Sequence, residues 1–203
     1  MWEQNTVYTK KYGNLPVDKR EIFRYARSKG QTAGETRLLD ECLPKAEAAA
    51  DMRVCFGFFG CKVSDGCVRF PFSDVRSQDL SRILNGCECA LIFAATVGPG
   101  IDRLIMRYSR LSPSRALMYQ AIGAERAEAL CDAFCAEIGA ELELTARFSP
   151  GYGDLDLCTQ RIFLSALNSG RLAGITLGES LLMSPSKSVT AVCGVKNGWS
   201  YCE

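Results

Sequence analysis

The 203-residue sequence contains no histidine. That absence excludes Ser-His-Asp and Cys-His nucleophile arrangements, an imidazole general base and a Cys2His2 zinc site. An excess of charge of one sign is also missing. The chain has 24 Lys and Arg against 23 Asp and Glu, a net charge of +1, which gives no basis for a nucleic-acid or polyanion partner. The longest mainly apolar run, Cys89 to Val97, is too short to span a bilayer. The first residues, Met1-Trp2-Glu3-Gln4-Asn5, lack the basic-then-apolar pattern of a secretory leader. Together these absences predict a soluble cytoplasmic protein with neither a membrane nor a nucleic acid as partner. The Cys-x2-Cys spacing typical of zinc and iron–sulfur sites does not occur either, although there are eleven cysteines. An odd count without a leader argues against a secreted disulfide framework.

What is present is a chain with 47% hydrophobic residues, enough for a sizeable core. The first fifty residues are the most charged. Asp18 is placed to cap a helix carrying Ile22, Phe23 and Ala26, and Thr32–Ala50 reads as a second helix that Pro44 interrupts or bends. A strand-rich stretch follows. Arg53–Phe59 and Val68–Phe72 read as strands around the turn signal Asp65-Gly66, Ser77–Leu84 as a helix, and Cys89–Thr96 as a fully buried strand. Gly98-Pro99-Gly100 ends that strand, and Ile101–Leu111 is helical. Ser112-Pro113-Ser114 opens the longest helix, to about Gly139. Glu141–Ala146, Ala173–Leu177 and Ser188–Val195 read as strands and Asp156–Leu167 as a helix. Strands come in clusters, not in regular alternation with helices. This predicts an α+β fold with a mainly antiparallel twisted sheet and flanking helices.

Three constellations carry chemistry. On the long helix Leu117, Ala121, Ala124, Glu128, Cys131 and Cys135 recur at spacings of four and three, so they share a face. Every member except Glu128 is small or apolar, and a carboxylate there needs a cation or donors. Two readings are open: a half-exposed glutamate at the edge of the stripe, or an acid facing the amine or sulfonium of a ligand. The second constellation is Arg147-Phe148-Ser149-Pro150-Gly151-Tyr152-Gly153. Pro-Gly fixes a turn, Arg147 offers a planar fork for a carboxylate, and Tyr152 offers a ring face to a cation. The third is the loop from Gly178-Glu179-Ser180 through Met183 and Pro185 to Ser188-Val189, whose polar residues are expected to line the same cleft if it exists.

Arg147-x-Ser149-Pro150-Gly151-Tyr152 followed by Glu179-Ser180-x-x-Met183-x-Pro185-x-x-Ser188-Val189 resembles the motif pair of the activation (reactivation) domain of cobalamin-dependent methionine synthase. Ala95-Thr96-Val97-Gly98-Pro99-Gly100-Ile101-Asp102 resembles the strand-to-helix turn of short stand-alone relatives of that domain. The resemblance covers roughly residues 90–195. The first fifty residues contribute little to it and read from their own pattern as an N-terminal helical arm, and the resemblance makes residues 51–203 an activation-domain-like core, the whole one compact domain. It also implies a site for S-adenosylmethionine. In that site Arg147 takes the ligand carboxylate, Ser149 and Gly151 offer main-chain contacts and Tyr152 packs on the ligand. A glutamate of the long helix completes it, Glu128 matching better than Glu125. The implied role is to present a methyl donor to the cobalt of a corrinoid while an external electron reduces the metal. Without a histidine here, the cobalamin is expected on a partner, a corrinoid protein or methyltransferase.

The sequence also departs from the family. After Tyr152 it reads Gly153-Asp154-Leu155-Asp156, where the family has prolines and a histidine. The family's N-terminal ligand-binding aspartate has no clear counterpart, and the cobalamin-binding, folate and homocysteine modules have no match here. Complete methionine synthase activity is therefore not expected of these residues. The expected function is S-adenosylmethionine-binding support of corrinoid reductive methylation. The alternatives are an interaction module that docks on a corrinoid protein without that ligand, and a cysteine-based redox or iron–sulfur protein. For the last, Cys55, Cys61 and Cys67 beside glycine-rich turns and Cys202 near the C-terminus are the residues to examine.

Overall fold

The computed structural model describes residues 2–13, 15–28 and 32–197. The chain opens with strand β1 (Val7–Tyr12) and helix α1 (Lys19–Tyr25). Asp18 caps α1 by accepting the Arg20 and Glu21 amides. Helix α2 (Ala33–Ala49) begins with a capping box in which Thr32 and Glu35 exchange bonds. It continues through Pro44, where the sequence allowed a break. Buried Leu39, Cys42 and Ala46 hold it in place on both sides of the missing amide donor. The expectation of a purely helical arm over residues 1–50 thus missed β1. Its β-branched and aromatic residues acquire a strand only through pairing with a segment 40 to 50 residues later, Val7 opposite Gly57 and Tyr12 opposite Met52.

Strand β2 (Met52–Gly60) leads into a meander of β3 (Lys62–Ser64), β4 (Cys67–Phe70) and β5 (Ser73–Arg76), then α3 (Gln78–Ile83). The predicted Asp65-Gly66 turn links β3 and β4, with both residues at positive φ. Strand β6 (Cys89–Thr96) is buried at all eight positions. It is followed by α4 (Pro99–Leu111) and the long α5 (Pro113–Gly139). After these come β7 (Glu143–Leu144), α6 (Thr159–Ala166), α7 (Ser169–Leu172), β8 (Thr176–Leu177), β9 (Met183–Ser184) and β10 (Ser188–Asn197). The five-stranded sheet runs β1-β2-β6-β10-β7 with every neighbouring pair antiparallel, as the clustered strands predicted.

Strand β6 is apolar from Cys89 to Ala95 because both faces of the sheet are covered. One face presents Val54, Phe56, Leu91, Phe93 and Cys193 to Leu130, Cys131 and Phe134 of α5. The ring of Phe134 lies 4.9 Å from those of both Phe56 and Phe93. The other face presents Cys55, Ile92, Ala94 and Val192 to Leu80 and Leu84 at α3 and to Phe163 and Leu164 of α6. The N-terminal half of α5 leaves the sheet for a third core with α1, α2 and α4, built on Ile22, Leu39, Ile101, Tyr119 and Ile122. The helix therefore changes partners along its length. The face expected to run from Leu117 to Cys135 is buried at Ala121 and Cys131, whereas Leu117 is 51% exposed.

The Gly98-Pro99-Gly100 turn shows why its glycines are needed. Gly98 has φ +83°, and a Cβ on Gly100 would lie 1.9 Å from the Ala49 carbonyl oxygen, so α4 starts directly against the end of α2.

Candidate functional site

The second constellation sits between β7 and α6. Phe148 pins its start by exchanging backbone bonds with Val192 of β10, at 2.9 and 2.8 Å. Ser149 to Tyr152 then forms a turn closed by the Tyr152 amide donating to the Ser149 carbonyl at 3.2 Å. Pro150 sits first in its centre and Gly151 second at φ +92°, the sequence pattern of a type II turn. The Gly151 amide donates to the Leu155 carbonyl at 2.8 Å, so it is already spent within the loop. Of the Gly151 main chain, the carbonyl rather than the amide is left for the contact expected of it, and glycine takes this φ without strain.

The segment after Tyr152, where the sequence leaves the family, has its own function in the fold. Asp154 caps the start of α3, accepting the Ser77 hydroxyl at 2.5 Å and the Gln78 and Asp79 amides at 2.7 and 3.2 Å. Those bonds hold its carboxyl below the usual carboxylate range. Leu155 is buried in the core against the sheet. The loop is thus fastened from both sides.

A cavity of about 380 Å³ opens beside this loop. Four of the five expected residues line it: Glu128, Arg147, Ser149 and Tyr152. Gly151 belongs to the same turn but is not among the lining residues. Further walls come from Phe148, Pro150, Leu157, Gln160, Met183, Ser188, Val189 and Thr190. Met183, Ser188 and Val189 were in the motif pair, whereas Gln160 and Thr190 were not singled out as site residues. Gln160 was legible as a polar residue among apolar neighbours. It is buried and donates to the Leu181 carbonyl at 2.5 Å, which ties the third loop to α6. Glu179 and Ser180, expected to line the same cleft, are exposed and do not. The other end of that loop is held by Asp102 of α4, which accepts the Ser186 amide and hydroxyl at 2.8 and 2.5 Å.

Electrostatically the cavity centres on Arg147. Its Nη2 donates to Glu128 Oε2 at 2.5 Å and lies 3.7 Å from Asp132 Oδ1. Its Nη1 is buried with no hydrogen-bond partner. Burial pulls the guanidinium down, but the Cys131 sulfur and Glu128 outweigh it and the net direction is upward, so Arg147 stays charged. The Glu128 side chain is 43% exposed and that of Arg147 25%. Glu128 is thus half exposed and lines the cavity. Tyr152 is 67% exposed at the rim, its ring open to whatever enters.

Glu125, the weaker match, lies elsewhere. It is buried and pairs with buried Arg126 at 2.5 Å, and it accepts the Asp18 amide at 2.9 Å. Arg126 in turn donates to the Leu15 and Pro16 carbonyls at 2.8 and 2.5 Å. This pair fastens the N-terminal segment to α5.

The ten cysteines among the described residues are free thiols, mostly buried. Burial pushes Cys55 up to about 11 and Cys61 and Cys89 up to about 12. Among the described residues no group of three or more His, Cys, Asp or Glu is arranged to hold a metal ion, and Cys202 lies outside those residues. Among the same residues no helix is long and apolar enough to cross a membrane. A larger cavity of about 700 Å³, beside Cys61, Lys62, Arg69 and Glu88, shares no residue with the expected site. The smaller one gathers Glu128, Arg147, Ser149, Gln160, Ser188 and Thr190.

No protein-family model matches this chain, and no curated protein matches it in sequence. Its fold does match solved structures: it is the α+β fold of a methionine synthase reactivation domain. The matching structure is the crystal structure of the MetH reactivation domain bound to AdoHcy. It superposes with a TM-score of 0.71 at 14% sequence identity, over 98% of this chain and 81% of that one.

Proposed function

We propose that this chain binds S-adenosylmethionine in the Glu128–Arg147 cavity and supports the reductive methylation of a corrinoid carried by a partner protein. The observation that carries the reading is the convergence of Glu128, Arg147, Ser149 and Tyr152 on one cavity, within a fold whose crystallised example holds AdoHcy. The cavity, about 380 Å³, falls within the roughly 300–1,000 Å³ usual for small-molecule pockets.

The residues fit the ligand's chemistry. Arg147 has a buried Nη1 without a partner, so its hydrogen-bonding capacity is not exhausted by Glu128. A ligand carboxylate takes the fork, and Glu128, released from part of its ion pair, accepts from the ligand ammonium. The exposed Tyr152 ring offers its face to the sulfonium. When bound, S-adenosylmethionine supplies an electrophilic methyl group. The chain's contribution is to fix its orientation toward the partner, which is catalysis by proximity and needs no histidine.

Calorimetric titration with S-adenosylmethionine, with S-adenosylhomocysteine for comparison, tests the reading. Saturable binding is expected, stronger for the sulfonium. No heat and no competition at millimolar ligand (about 4 kcal/mol of affinity or less) would overturn it. The second reading, docking on a corrinoid protein without this ligand, is favoured by the Glu128–Arg147 pair, since each is already the other's partner. Co-elution with a corrinoid protein, unaffected by S-adenosylmethionine, is its expected signature.

A further inference from the structure

The larger cavity, about 700 Å³, lies at the other end of the central sheet from the Glu128–Arg147 cavity. Gly60 pairs with Cys89 at the start of β6, whereas Ser188 pairs with Thr96 at its end, so roughly 23 Å of strand separates the two. Four polar side chains line the larger cavity, those of Gln4, Lys62, Arg69 and Glu88, and Phe70 and Pro71 add an apolar part. The sheet explains how they come together. Lys62 stands directly opposite Arg69 in the β3–β4 pair, which sets two cations side by side. Arg69 is relieved from β5, where Asp74 accepts its Nε at 3.2 Å. Lys62 has no ion pair among the described residues, and neither has Glu88. Glu88 reaches the same place because its carbonyl accepts the Cys61 amide at 3.0 Å, one residue before Lys62. Gln4 is anchored by its neighbour, the Asn5 amide donating to the Phe58 carbonyl at 2.7 Å. Its side-chain nitrogen lies 2.5 Å from where a Cβ on Gly60 would stand, so the glycine makes room for it. A cation and a carboxylate thus line one cavity without meeting each other, and an amide and an apolar wall stand beside them.

We propose that this second cavity binds a free α-amino acid with an apolar side chain. The ligand carboxylate accepts from Lys62 and Arg69, with the Gln4 amide as a further donor. The ligand ammonium donates to Glu88, and the apolar side chain packs on Phe70 and Pro71. A simple anion would satisfy Lys62 and be repelled by Glu88. A simple cation would satisfy Glu88 and be repelled by the two basic residues. A zwitterion is the class that gives both ends a partner, and selection against the other two comes from those repulsions. The volume is ample for it. The inference stands apart from the S-adenosylmethionine reading, because the two cavities share no residue.

The test titrates the protein calorimetrically with L-phenylalanine, then with 3-phenylpropionate, which lacks the ammonium, and with phenethylamine, which lacks the carboxylate. Saturable binding of L-phenylalanine is expected, about tenfold or more tighter than that of either analogue, the size of one lost hydrogen bond to a charged group. Lys62→Ala and Glu88→Gln are each expected to weaken it by about tenfold for the same reason. Both residues are exposed, so the variants are expected to fold, which circular dichroism checks. If either does not, the comparison of the three ligands on the unaltered protein decides. No heat with L-phenylalanine at millimolar concentration overturns the proposal. Equal affinity for 3-phenylpropionate marks a plain anion site and overturns it, and equal affinity for phenethylamine does so from the other side. Unchanged affinity for L-phenylalanine in either folded variant places the ligand elsewhere and overturns it as well.

Discussion

Glu125 and Glu128 stand one turn apart on α5, and each meets an arginine, yet the two pairs belong to different worlds. The Glu125–Arg126 pair is almost fully buried, with side-chain exposures of 4% and 2%, and its hydrogen bonds go to three backbone groups of the N-terminal segment and within the pair itself. The Glu128–Arg147 pair opens on a cavity, is partly solvated and leaves Arg147 Nη1 without a partner. The same two side-chain types serve as a fastener in one place and as a candidate receptor in the other. The difference lies in whether the surroundings exhaust the hydrogen-bonding capacity of the pair. A closed pair has nothing left to offer a ligand; an open one does.

The comparison breaks most visibly at Arg126. Arg126→Ala leaves Glu125 charged and buried, and a loss of about 3–5 kcal/mol of stability is expected from urea denaturation. A loss below about 1 kcal/mol, the size typical of an exposed pair, would show that water reaches this pair and that the contrast is false. Arg147→Ala is expected to do the reverse. Affinity for S-adenosylmethionine falls by about 1.5–3 kcal/mol, the size of a hydrogen bond to a charged group, while stability changes by less than about 1 kcal/mol. Glu128→Gln is expected to weaken binding in the same direction. Unchanged calorimetric affinity in both variants sinks the site assignment.

Gly151→Ala sharpens the comparison from the backbone side. At φ +92° a Cβ is strained, and it would meet Leu157 Cδ1 at 3.2 Å. A destabilisation of about 1–2 kcal/mol is expected, with weaker ligand binding because the turn carrying Ser149 and Tyr152 shifts. A melting temperature and affinity both equal to wild type would show that the turn adapts.

The smallest effects are expected in pH dependence. Asp154 has its folded pKa depressed by the Ser77 hydroxyl and the α3 amides. Its contribution to stability is therefore present above the ordinary carboxylate pKa, about 3.9, and is lost as pH falls through the lower folded value. Asp154→Asn is expected to flatten that acid limb, read as the urea midpoint against pH. The buried thiols act at the other end. Cys61, Cys89 and Cys131 have folded values raised to about 12 by burial. Their contribution is complete below the ordinary thiol value of about 8.5 and is lost as pH rises through that window. An alkaline limb unchanged in a Cys89→Ala variant would remove that thiol from the account.

Much of this was legible in the chain. Periodicity and punctuation placed α1 through α5, β2, β6 and β10, because those elements carry local signals: caps at Asp18, Thr32 and Ser77, glycine breaks at Gly86 and Gly98, and proline starts at Pro99 and Pro113. The short strands β3, β5 and β9 escaped because two to four residues hold too little pattern, and β1 escaped because its partner is distant in sequence. At the site, Pro150-Gly151 announced its own turn, and the helical stripe pointed to Glu128. Gln160 and Thr190 were not announced as site residues, since being polar next to a cavity is a property of place.

The sequence by itself determined the antiparallel α+β class, the turn that presents Arg147 and Tyr152, and the exclusion of histidine chemistry. These follow from local sterics, composition and spacing. Only the tertiary structure decided which glutamate of α5 meets the cavity and which arginine is sealed. Those outcomes depend on burial and on contacts between residues far apart in the chain: Asp18 on Glu125 and Arg147 on Glu128. A one-turn difference along α5 exchanges the interior for an open cleft, and no periodicity within the helix records which of its neighbours the rest of the chain will cover.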